Sequence, residues 1–155
     1  MSETESITFV IGLSGTYWGD KTPEYSIALN GKEYARGFIT APSGVKETFT
    51  FTAELVEGPH RLEIGFLNKD PNTDVIKNED GTIAKDILLN VESIEIDEID
   101  IAHLLYTKSY YDLVKKQIYK GTITNRIESC VHLGFVGTYC IEFSSPFYIW
   151  LLENL

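Results

Sequence analysis

The chain has 155 residues, 43% of them hydrophobic and 23% charged, which fits one globular domain with a single core and excludes a disordered polymer. Its net charge of −10 argues against unaided nucleic-acid binding, because a phosphate backbone must be met by clustered Lys and Arg. No run of about 18 apolar residues exists to span a membrane.

The start, Met1-Ser2-Glu3-Thr4-Glu5, is acidic and polar where a secretory signal is basic and then apolar. The expectation is therefore a chain kept in the cytosol or assembled there into something larger. Nine Tyr and eight Phe, with abundant Val, Ile and Thr, favour sheet over a helical bundle.

Ser6 to Gly12 alternates as a strand, and Leu13 to Lys21 reads as a Gly-rich loop holding Tyr17 and Trp18. Tyr25 to Leu29 and Glu33 to Ile39 flank Asn30-Gly31, the strongest short-range hairpin signal, since both turn positions want positive φ. Ala41-Pro42-Ser43-Gly44 breaks the chain. Glu47 to Leu55 then places Phe49, Phe51, Ala53 and Leu55 on one face. Beyond the turn at Glu57-Gly58-Pro59, His60 to Leu67 turns Leu62, Ile64 and Phe66 inward.

Asn68 to Lys85 is a long polar segment, and loops of that length in compact domains are functional or disordered. Asp86 to Asp97 is a strand pattern that Ile99 and Ile101 continue across a turn at Asp97-Glu98. Tyr110 to Tyr119 fits either one short helix or an irregular excursion. Ile127 to Leu133 and Thr138 to Phe143 read as a last hairpin around Phe135, stopped by Ser145-Pro146. Turn-linked strands at roughly ten-residue spacing predict one all-β domain over residues 1–155, an antiparallel β-sandwich of jelly-roll type.

Charge is uneven. Glu92 to Asp100 is strongly acidic, whereas Thr107 to Arg126 carries Lys108, Lys115, Lys116, Lys120 and Arg126 against Asp112 alone. Two solvated faces explain this, as does complementary contact between copies in an assembly. Cys130 and Cys140 lie in no Cys-x-x-Cys motif. A hairpin centred on Phe135 would let them bridge, and a half-residue shift would separate them; without a signal peptide, free thiols are expected. The aromatic, almost uncharged tail Phe147 to Leu155 must be covered, across the domain's own core or by a partner. Phe147, Tyr148, Trp150 and Leu151 are its candidate partner-binding residues.

Catalytic motifs are missing. Gly12-Leu13-Ser14-Gly15 follows a strand but has Thr16 where a nucleophile elbow needs Gly. Glycine spacing fits neither a dinucleotide fingerprint nor a phosphate loop, and His60, His103 and His132 form no zinc pair. A non-enzymatic chain is the expectation. Asn68, Asp70, Asp74, Asp80 and Asp86 gather hard oxygen ligands in and beside one loop, the kind Ca²⁺ takes at about six to eight oxygens. Against this, Val75 stands where the Gly of a calcium loop would allow its sharp turn. A solvated acidic loop is the competing reading.

The stretch Gly58-Pro59-His60-Arg61-Leu62-Glu63-Ile64-Gly65-Phe66-Leu67-Asn68, then Asp86-Ile87-Leu88-Leu89-Asn90-Val91-Glu92-Ser93-Ile94-Glu95-Ile96 after a loop, is similar to calcium-dependent, xylan-binding-type carbohydrate-binding modules. The resemblance spans residues 7 to 97 in pattern and two short motifs in detail. It implies a sandwich with Asn68 and Asp86 near a metal, with Asp70 and Asp74 as further candidate ligands. Two departures count against the site: Lys69 occupies the position of the family's Asp, where it would repel a cation, and the second motif reads Asp86-Ile87-Leu88-Leu89. Tyr17, Trp18, Tyr110 and Tyr111 are candidate sugar-stacking platforms, with core packing as the competing use of each.

The C-terminal part, Ile96-Asp97-Glu98-Ile99-Asp100-Ile101-Ala102-His103-Leu104-Leu105-Tyr106 and Gly137-Thr138-Tyr139-Cys140-Ile141-Glu142-Phe143 leading into Ser145 to Asn154, resembles small proteins of tailed phages of marine cyanobacteria. That implies a non-enzymatic virion component assembled in the host cytoplasm, a capsid decoration or other surface protein with capsid, virion or self partners. A calcium-dependent carbohydrate-binding module with a glycan partner is the alternative.

Overall fold

The computed structural model describes residues 4–154. Its strands are β1 (Thr4–Thr16), β2 (Glu24–Leu29), β3 (Lys32–Phe38), β4 (Glu47–Val56), β5 (Gly58–Phe66), β6 (Ile76–Lys77), β7 (Ile83–Lys85), β8 (Leu88–Ile96) and β9 (Ile99–Asp100). After the single-turn helix α1 (Leu104–Thr107) follow β10 (Ser109–Tyr119), β11 (Thr122–Glu128), β12 (His132–Leu133), β13 (Gly137–Ser145) and helix α2 (Phe147–Glu153).

One sheet has the order β12-β8-β1-β4, with β9 on β8, and the other β11-β10-β13-β5-β2-β3. Their pairings are antiparallel. The architecture is the all-β sandwich expected of the sequence. No helix among the described residues is long and apolar enough to cross a membrane.

The core lies between the sheets. Ile7, Phe9, Ile11 and Leu13 of β1 face Leu62, Ile64 and Phe66 of β5 and Tyr139, Ile141 and Phe143 of β13, in period-two order along each strand. The Asn30-Gly31 turn has φ of 52° and 84°, the left-handed pair that a two-residue hairpin needs.

β1 runs past Gly12 to Thr16, because Leu13 to Thr16 still pair with β8. Gly15, read as a loop residue, is there for packing: a Cβ on it would sit 3.1 Å from Pro23 and 3.3 Å from Ile39. A bulge at Glu92 sets Ser93 opposite Gly12 and Val91 opposite Leu13. It moves the inward series of β8 from Leu89 and Val91 to Ile94 and Ile96.

Two local expectations need correction. Tyr110 to Tyr119 is strand: β10 pairs with β13 as far as Leu113, then bends and forms a hairpin with β11 through Lys120-Gly121, both at positive φ. There is no hairpin around Phe135 either. β12 pairs with β8 in one sheet and β13 with β10 and β5 in the other, so Gly134-Phe135-Val136 crosses between sheets. Cys130 and Cys140 are both free thiols, Cys140 buried and Cys130 half-buried.

The tail forms α2, which buries Phe147 and Leu151 and packs Trp150 on the core. Glu5 of β1 accepts from the Phe147 N–H (2.8 Å) and the Ser145 hydroxyl, tying the first strand to the start of the last helix. As partner-binding residues, Phe147 and Leu151 are therefore excluded by burial. Helix geometry leaves Tyr148, Ile149 and Leu152 on the outer face, 48%, 56% and 73% exposed.

Candidate ligand cleft

The bend in β10 carries the β10–β11 hairpin away from β13, and the 68–87 loop folds out as a flap with β6 and β7 paired at its end. Between them opens a cleft of about 930 Å³, within the range of small-molecule sites. Leu88, Tyr111, Ile127 and Val131 form its apolar floor, and Ile118 and Tyr119 of the hairpin stand opposite Val75 and Ile83 of the flap. Asn72, Lys77, Ser129 and His132 supply polar groups at the walls. Lys69, Pro71, Asn72 and Phe135 border both this cleft and a second recess of about 460 Å³, which runs beneath Val114, Lys115 and Gln117.

The flap is anchored by polar contacts that its sequence hides. Asn68 accepts from the Glu24 N–H (2.8 Å) and donates to the Thr22 carbonyl (3.0 Å). The Asp74 carboxylate accepts from Lys21 Nζ (2.8 Å) and the Asp70 N–H (2.7 Å), and its backbone carbonyl accepts from the Trp18 indole (2.9 Å). Burial opposes ionisation of Asp74, but the Asp70 N–H and the Lys21 ammonium outweigh it and hold the carboxyl below its ordinary range. Lys69 Nζ lies 2.5 Å from Asp86 Oδ1 and 2.7 Å from the Ile87 carbonyl, with its side chain only 2% exposed.

On the cleft floor, Tyr111 is fully buried and donates to the Phe135 carbonyl, while Phe135 N–H returns to the same hydroxyl (3.2 Å). Burial pushes the Tyr111 phenol up. Its hydroxyl thus fixes the crossover that walls the cleft. Beneath the next strand pair, His132 Nδ1 meets Asn90 Oδ1 (2.8 Å), Asn90 donates to Ser14 (3.2 Å), and Ser14 donates to Glu92 Oε1 (2.6 Å). Ser14 has no exposed surface, donates to Glu92 and meets His132 only through Asn90, so this chain is a structural network rather than an activated nucleophile.

The four metal candidates do not converge. Asn68 clamps the β2 entry, Asp70 accepts from the Asn72 N–H (3.0 Å), Asp74 belongs to Lys21, and Asp86 belongs to Lys69. Among the described residues, no group of three or more His, Cys, Asp or Glu is placed to hold a metal. The Ca²⁺ that the resemblance implies does not fit this donor set, because the buried Asp74 and the half-buried Asp86 already hold ammonium groups.

The four stacking candidates do not form one platform either. Tyr111 is core, and Tyr17 donates to the Ala41 carbonyl (2.9 Å). Trp18 is tied to Asp74 with Lys85 over its ring (5.3 Å), and Tyr110 is covered by Arg126 (4.1 Å) and donates to Glu142. Of the four only Tyr111 lines the cleft, as part of its floor; the other rings that border it are Tyr106, Tyr119 and Phe135, which sequence reasoning passed over. Their signal was weak: they stand on three separate segments, two of them given the wrong local structure.

No protein-family model matches the sequence, and no curated protein does. Two solved structures share the architecture. One, vCBM60 in complex with galactobiose, aligns over 88% of this chain and 97% of its own, with 11% identity and a TM-score of 0.53. The other is the selenomethionine form of vCBM60, from work linking two families of calcium-dependent carbohydrate binding modules by circular permutation. It aligns over 87% of this chain and 89% of its own, with 10% identity and a TM-score of 0.57. At these identities the likeness is one of fold: the chain shares the all-β sandwich of these two structures.

Proposed function

We propose that the protein is a non-catalytic binding module whose cleft takes a carbohydrate. The observation that carries this reading is the cleft itself, an aromatic and apolar trough edged by Asn72, Lys77, Ser129 and His132. Ring faces and a few fixed polar groups are what a sugar offers contacts to, with its C–H face on the one and its hydroxyls on the other. The fold it shares with vCBM60, a module solved with galactobiose, supports the same reading. An array of neutral and acidic glycans tests it. Retention of a defined glycan class is the expected result, and a chain that retains none refutes the proposal.

A second reading, a structural protein of a virus particle, is favoured by the outer face of α2. Tyr148, Ile149 and Leu152 lie exposed side by side there, suited to a protein partner. Stoichiometric attachment to particles, lost in an Ile149→Asp/Leu152→Asp variant that still folds, is the outcome this reading expects. Attachment unaffected by those changes removes α2 from the role.

A further inference from the structure

We propose that the Lys69 ammonium is a built-in cation that takes the place of a metal ion at the base of the flap, so that the flap is held without calcium. Lysine is almost never fully buried unless paired, yet this side chain is more buried than the carboxylate it meets. Asp86 Oδ1 and the Ile87 carbonyl point at one spot, and Lys69 Nζ occupies it at 2.5 and 2.7 Å. Asp86 Oδ1 also accepts from the Ile87 N–H (2.8 Å), so both lone pairs of that oxygen are in use.

A divalent ion placed against Asp86 would lie beside the ammonium and be repelled by it. The buried carboxylate of the flap, Asp74, repeats the arrangement, with Lys21 Nζ 2.8 Å from its Oδ2. Two lysines thus neutralise Asp86 and Asp74, one closing the two ends of the flap on each other and the other tying the flap to the loop before β2. Because Lys69 borders both the cleft and the neighbouring recess, ligand binding there is independent of metal as well; this last step rests on the carbohydrate reading above.

Thermal melts of the full chain with added CaCl₂ and with chelator test the proposal, alongside Lys69→Met, which keeps most of the volume and removes the charge. The wild-type midpoint is expected to be the same in both solutions. Lys69→Met is expected to melt roughly 6 to 20 °C lower, the range for leaving a buried charge unpaired in a domain of this size. A wild-type midpoint that rises with CaCl₂, with the rise abolished in Asp86→Asn, overturns the proposal, as does a Lys69→Met variant that melts with the wild type. Should Lys69→Met fail to fold, the wild-type comparison decides alone. Absence of any glycan binding would remove the carbohydrate reading and leave these melting results to stand by themselves.

Discussion

Replacing Asp74 by Asn should loosen the flap. The carboxylate is 3% exposed and accepts two short bonds, from the Asp70 N–H at 2.7 Å and from Lys21 Nζ at 2.8 Å, beside a longer one from the Thr73 hydroxyl at 3.3 Å. A bond to a charged acceptor is worth about 1.5–3 kcal/mol when both partners are shielded. Lys21 is 38% exposed, so its share is screened and falls to about 0–1 kcal/mol. The expected loss is therefore about 1.5–4 kcal/mol, or roughly 3–16 °C in melting temperature for a domain of this size.

Lys21→Met strips the buried Asp74 carboxylate of its cation and should cost about 1–3 kcal/mol, and the double variant should cost less than the sum, since both changes remove one contact. The effect also has a pH signature. The folded carboxyl titrates below its ordinary value near ~4, so its contribution is complete above that value and is lost as pH falls through the lower, folded pKa. Urea melts from neutral pH down to pH ~3 should therefore show a steeper acid decline in the wild type than in Asp74→Asn. Equal stability of the two at neutral pH, or identical acid declines, would refute the reasoning.

Tyr111→Phe removes the hydroxyl that joins the cleft floor to the Phe135 backbone, and should cost about 1–2 kcal/mol in urea melts while raising amide exchange at Phe135. Gly137→Ala should destabilise by about 1–3 kcal/mol or more, because the added Cβ would overlap the Asp112 carbonyl oxygen across the β10–β13 pairing, where backbone cannot yield cheaply. Burial, with the Glu63 carboxylate nearby, pushes the Cys140 thiol up to about 11, and burial also raises Cys130. Both thiols should resist alkylation near neutral pH in the native protein and react fully once it is unfolded; rapid native-state labelling of Cys140 would contradict its placement.

Much of the sandwich was legible because period-two alternation is a direct imprint of one buried face. Ile7, Phe9 and Ile11, or Leu62, Ile64 and Phe66, admit no other reading. Even the Glu92 bulge left a trace. Leu89 and Val91 are odd-numbered while Ile94 and Ile96 are even, and a straight strand cannot bury both series. What failed did so where the core does not dictate the pattern. In β10, Tyr110, Val114 and Ile118 fall at helical spacing, but Val114 and Ile118 face solvent in the hairpin arm. Its turn places Lys120 at positive φ, which the Asn-Gly signal does not reveal.

The crossover at Phe135 looked like a hairpin because Gly134 and Gly137 flank it. Pairing of His132 with Asn90, from a strand some forty residues earlier, drew β12 into the other sheet. For the site, Lys69 was visible as a departure from the resembled motif, but its contact to Asp86, seventeen residues on, was not. The rings of the cleft were not visible, since only the bend of β10 and the crossover bring Tyr106, Tyr119 and Phe135 to one opening.

Titration of the best glycan from an array against the wild type and Tyr119→Ala, each in chelator and in calcium, tests the metal-free carbohydrate cleft most directly. Wild-type affinity should be equal in the two solutions and fall roughly ten-fold in Tyr119→Ala, the loss of one ring contact. Affinity that requires calcium, or that survives the loss of Tyr119 unchanged, would contradict the account.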